Sequence, residues 1–142
     1  MAELIIRKMS EYITEPIEWL WEPYIPSGTI TLIQGDGGEG KTTISEAVAA
    51  AVTTSAGLPG KDIAIPRSNV IMQNAEDSHT KSIRPKLEMF GADLDKIYVI
   101  DEGEQELSFT DERIEQTIIQ INARGIVCHA IGGTVCKSAA TN

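Results

Sequence analysis

The sequence predicts an α/β fold, a parallel sheet with helices on both of its faces. Three observations predict it. Short β-branched runs alternate with amphipathic stretches along the chain. The runs are near-continuously apolar, as in strands covered on both sides. A glycine-rich turn joins the first clear strand directly to the first clear helix. Size and composition agree. The chain has 142 residues, 42% of them AVILMFWYC, which suits one globular domain at most. It divides into a lead-in over 1–28, a core over 29–124 and an atypical segment over 125–142.

Each element has its own signature. In the lead-in, Pro16, Pro23 and Pro26 forbid a long helix, and Trp19, Trp21 and Tyr24 are placed to cover one edge of the core. Thr29 to Gln34 reads as a buried strand bounded by Gly28 and Gly35. Ile44, Ala47, Val48 and Ala51 form the i, i+3, i+4, i+7 stripe of a helix lying on a sheet. Asn69 to Gln73 is a second strand. Ser78 to Phe90 reads as a helix with Ile83, Leu87 and Phe90 inward and Gly91 at its stop; Pro85 marks its first turn or a kink. Ile97 to Ile100 is a third strand. Thr110 caps a helix whose inner face is Ile114, Ile118 and Ile121, with Asp111 and Glu112 in its first turn. Residues 126–131 form a candidate fourth strand, but 125–142 as a whole offer few groups to bury and are expected to add little to the fold.

The sharpest motif is Gly35, Asp36, Gly37, Gly38, Glu39, Gly40, Lys41, Thr42 and Thr43. It fits G-x-x-x-x-G-K-[ST] between a strand and a helix, the context that such a phosphate loop requires. Its glycines let successive N–H groups turn inward toward phosphate oxygens. Lys41 brings a positive charge to the β/γ-phosphates, and the Thr42 hydroxyl is placed to ligate Mg²⁺. Gly35-x-Gly37-x-x-Gly40 also fits a dinucleotide fingerprint, but Gln73 and Asn74 stand where that motif wants an acid, with Glu76 slightly beyond. A glycine turn without any ligand is the remaining alternative.

Further residues resemble a known family. Trp19-Leu20-Trp21, Ile25-Pro26-Ser27-Gly28 and the phosphate loop resemble the opening of the RepA-like, AAA_25-type group of RecA-like P-loop ATPases. Val70 to Asp77, with its Ala75-Glu76-Asp77 exit, and Ile83-Arg84-Pro85-Lys86-Leu87 continue the likeness, which covers roughly 17–124. The resemblance implies a RecA-like P-loop NTPase core, here cut short, that binds ATP or ADP with Mg²⁺. It implies ATP hydrolysis coupled to DNA replication or repair, helicases included, a homo-hexamer, and contact with DNA through the full-length protein. It assigns Glu76 as the carboxylate that orients or deprotonates the attacking water, and the end of a strand beside the phosphate loop is where such a group works. A solvated Glu beginning a helix is the alternative. Arg84 is a phosphate or neighbouring-subunit contact or a plain surface residue; His79 reads as an exposed polar residue.

The likeness fails after residue 124. The family places its second, Mg²⁺-holding acid on the strand that follows the Thr110 helix, yet no Asp or Glu occurs from Gln116 to Asn142. The chain therefore reads either as an ATPase weakened by that loss, or as an inactive nucleotide-binding or regulatory module. A third reading is a complete small ATPase that uses Asp101 and Glu102, 60 positions after Lys41, in that role. Cys128, His129 and Cys136 fit no standard zinc spacing. The net charge of −9 argues against a general electrostatic grip on nucleic acid. No apolar run approaches the roughly 20 residues that span a bilayer, and a cytoplasmic location is expected.

Overall fold

The computed structural model describes residues 3–60, 64–74, 77–100, 112–121, 123–130 and 133–138; over 124–130 and 133–138 it describes the backbone. A two-strand antiparallel ribbon, β1 (Trp19–Trp21) and β2 (Ile25–Pro26), precedes the main sheet. That sheet is built from β3 (Ile30–Gln34), β4 (Asn69–Asn74), β5 (Ile97–Val99), β6 (Ala123–Ala130) and β7 (Gly133–Ser138), in the order β3-β7-β6-β4-β5. The helices are α1 (Lys41–Thr54), α2 (Arg84–Met89) and α3 (Glu112–Ile121).

Helices lie on both faces, and β4 shows why. Val70 and Met72 point into a core made with Val48 and Val52 of α1 and Leu87 of α2. Ile71, between them, points the other way and packs with Ile114 of α3 and Ala123. Ile118 and Ile121 join that second cluster, as their spacing predicts. Trp21 packs against the first cluster and donates its Nε1–H to the Pro59 carbonyl at 3.0 Å. Tyr24 meets it edge-on, with ring centroids 5.1 Å apart.

Five expectations are corrected. The sheet is mixed, not parallel throughout. β4 runs parallel to β5 and β6, whereas β7 runs antiparallel to both β6 and β3. Two residues separate β6 from β7, and so short a connection can only return antiparallel. Residues 125–142 are likewise not peripheral to the fold, because β7 is the strand that joins β3 to β6.

Among the described residues, β3 is covered on one face only. Ile33 packs against the α1 side, while Ile30 and Leu32 are 66% and 55% exposed. α3 sits over β4, so among the described residues it does not shield the outer face of β3. The buried stripe of α1 falls one residue later than expected, on Ser45, Val48, Ala49 and Val52, with Ile44 turned outward. α1 is buried over most of its circumference, and a helix apolar nearly all round has no unique stripe to read.

The Ser78–Phe90 stretch is a π turn over His79–Ile83 followed by α2. Ile83 N–H reaches back to Ser78 O at 3.2 Å. Pro85, in the first turn of α2, has no N–H to continue the α ladder across that junction. Ile83 and Leu87 are buried as read, whereas Phe90 is 37% exposed. Thr110 and Asp111, read as the start of the last helix, lie outside the described residues.

Candidate nucleotide-binding site

β3, β6, β4 and β5 all run the same way, so their carboxyl ends share one edge of the sheet. The loop from Gly35 to Gly40 leaves β3 at that edge and feeds directly into α1. Gly38 and Gly40 have φ of 84° and 85°, a left-handed backbone that a side chain would strain. Gly40 is also the N-cap of α1, and its carbonyl accepts the Ile44 N–H at 3.0 Å. All nine residues of the motif, Gly35 to Thr43, thus lie in one strand–loop–helix junction. Thr42 and Thr43 sit in the first helical turn, and Ser45 Oγ donates to Thr42 O at 2.8 Å.

The loop makes internal bonds through its charged side chains. Lys41 Nζ donates to the carbonyls of Gly35 and Asp36, both at 2.7 Å. Glu39 Oε2 accepts the Asp36 N–H at 2.8 Å. A Cβ on Gly35 would lie only 2.4 Å from that same oxygen, so this fold of Glu39 requires glycine at 35.

The neighbouring strand end is fixed as well. Asn74 closes β4 and is 8% exposed; its Oδ1 accepts the Asp77 N–H at 3.0 Å. Glu76, the residue read as catalytic, falls between these two and lies outside the described residues, as do Asp101 and Glu102. β5, which Asp101 follows in sequence, is the edge strand farthest from β3. Four strand spacings put its end about 19 Å from the phosphate loop. In register with Asn74 on β6 stands His129, with Cys128 opposite Gln73. Among the described residues no cluster of three His, Cys, Asp or Glu could hold a metal. Arg84 pairs with Glu88 at 3.0 Å on an exposed helical surface, and His79 is exposed.

Sequence reasoning missed Glu46. It lies on the second turn of α1 and is fully buried, with Lys86 Nζ at 3.7 Å. That distance makes an ion pair and not a hydrogen bond, so both carboxylate oxygens lack a hydrogen-bond partner. Burial raises its carboxyl above the ordinary range; Lys86 opposes the rise and Asp77 adds to it. The signal was available as an acid inside an otherwise apolar helix, Glu46-Ala47-Val48-Ala49.

Compared with models of protein families, residues 4–127 match the AAA domain described as AAA_25. The chain belongs to this AAA domain family. No curated protein and no solved structure matches it. Membership makes the chain a nucleotide-binding, ATPase-type AAA domain. The matched range includes β1, β2, the phosphate loop and all three helices, and it ends inside β6. Among the described residues of this AAA domain, no helix is long and apolar enough to cross a membrane.

Proposed function

We propose that this AAA domain binds ATP·Mg²⁺ through Gly35–Thr43 and is the N-terminal part of a RepA-like, RecA-type ATPase. The observation that carries this reading is the junction itself. A strand ends, left-handed glycines turn the backbone at Gly38 and Gly40, and a helix starts at Lys41. N–H groups in such a turn, with the helix N-terminus behind them, favour phosphate. Lys41 is within reach of the loop's own carbonyls and swings to the β/γ-phosphates on binding. The Thr42 hydroxyl supplies one oxygen to Mg²⁺, which takes most of its ligands from phosphate and water, so one protein oxygen fits. Bound Mg²⁺ neutralises charge on the phosphates.

The family resemblance assigns Glu76, which follows the strand end held by Asn74, as the base toward the attacking water; β4 is not beside β3 as that reading expected, since β7 and β6 stand between them. Ala75-Glu76-Asp77 and Arg84-Pro85-Lys86-Leu87 support the RepA-like branch. In that branch the parent protein is a cytoplasmic, homo-hexameric ATPase of DNA replication or repair. The alternative of a complete small ATPase, with Asp101 as the metal acid, is disfavoured by the place of β5 at the far edge of the sheet.

Isothermal calorimetry with ATP, ADP and Mg²⁺ tests the binding. Lys41→Ala is expected to abolish it, and equal affinity in both proteins would overturn the reading. Arginine is no neutral replacement, because a planar guanidinium does not substitute for a compact ammonium.

A further inference from the structure

We propose that the Glu39 side chain is a built-in competitor of the nucleotide phosphates and sets the affinity of this site. The inference rests on the nucleotide-binding reading above and deepens it. The loop Gly35–Lys41 carries two acids, Asp36 and Glu39, against one lysine. Glu39 is folded back so that its Oε2 takes the Asp36 N–H at 2.8 Å, a charge-assisted bond. An anion is therefore already seated on a backbone donor at the mouth of a loop shaped to receive anions. The loop's cation is engaged as well, since Lys41 Nζ is held by Gly35 O and Asp36 O. Together the two side chains latch the loop onto itself. An arriving triphosphate meets a carboxylate of its own sign, and must draw Lys41 away from two carbonyls. Glycine at 35 favours the latch, because a Cβ there would lie 2.4 Å from Glu39 Oε2 and displace that side chain. The contact is exposed to solvent, so it opens without disturbing the core.

The test compares Mg²⁺-ATP binding by the full chain, by Glu39→Ala and by Glu39→Gln. Glu112→Gln, an exposed acid of α3, serves as the charge control. Removing one charge-assisted competitor is expected to tighten binding about tenfold in Glu39→Ala. Glu39→Gln keeps an acceptor for the Asp36 N–H but loses the charge, so an intermediate gain is expected. Glu112→Gln is expected to match the parent. Unchanged or weaker binding by Glu39→Ala, in a protein whose parent binds ATP and whose melting temperature is unaltered, would overturn the proposal. An equal gain in Glu112→Gln would overturn it too, since net charge alone would then explain the effect. If neither the parent nor any variant binds, the nucleotide-binding reading itself fails and takes the latch with it.

Discussion

Glu46 places a carboxyl where α1 is otherwise packed with alanine and valine. Desolvation raises its pKa above the ordinary 4.5, against the pull of Lys86. The folded state therefore holds the proton more tightly than the unfolded chain does. The stability this gives is fully present below about pH 4.5 and is lost as pH rises through the folded-state value. Glu46→Gln has no proton to lose, and Lys86, at 36% exposure, can turn to water once its partner is neutral. The glutamine variant is expected to be more stable than the parent at pH 7, because it buries a neutral amide where the parent must bury a charged carboxylate. The gap should narrow as the pH falls toward 4.5. Urea melts of both proteins at several pH values measure it. A variant less stable than its parent at pH 7 would mean that the Lys86 pair outweighs desolvation.

Among the elements, the two chain ends of α1 are fixed by different chemistry. Its start is dictated by the Gly40 N-cap. Its end depends on Ser55, a non-glycine residue at φ 63°, whose Oγ donates to the Ile65 carbonyl. Nearby, Thr53 Oγ1 accepts the Asp93 N–H at 3.2 Å, and Arg67 bridges Thr53 O and the Asp93 carboxylate. The first of these was legible because glycines and lysine stand together in sequence. The second was not, because its partners come from residues 53 to 93 and meet only in the fold. β4 and α3 were legible for a related reason: a strand in contact with helices on both faces is uniformly apolar, and a one-sided helix keeps its 3.6-residue stripe. β7 was not, since Gly133-Thr134-Val135 carries little pattern and its place depends on partners from both ends of the chain. Yet among the described residues β3 pairs with no other strand of the sheet. Deleting residues 132–142 is therefore expected to lower the melting temperature by more than about 5 °C, beyond what a neutral surface change produces. A shift smaller than that, read by circular dichroism, would show that β3 keeps its place without its β7 partner.

At the scale of the whole molecule, the sheet gathers strand ends at one edge but separates the groups that hydrolysis needs. The phosphate loop follows β3, Glu76 follows β4, and β7 and β6 stand between these two strands. Position alone makes β6 the strand best placed to offer a metal-holding acid, and Ala123–Ala130 contains no Asp or Glu. The binding half of the site could be read from nine consecutive residues, whereas the catalytic half depends on which strand lies beside which, and no local pattern states that. Phosphoryl transfer depends mainly on positioned charge, and losing one preorganised electrostatic element costs about 10² to 10³ in rate. Hydrolysis by this chain is therefore expected well below the median enzyme value of about 10 s⁻¹, even where ATP binds. Phosphate release under saturating Mg²⁺-ATP measures it. Asp101→Asn is expected to leave that slow rate unchanged, because β5, the strand it follows in sequence, is the edge strand farthest from β3. A rate near the median that Asp101→Asn abolishes would make Asp101 the metal acid, and would require the segment after β5 to cross back over the sheet edge to the phosphate loop.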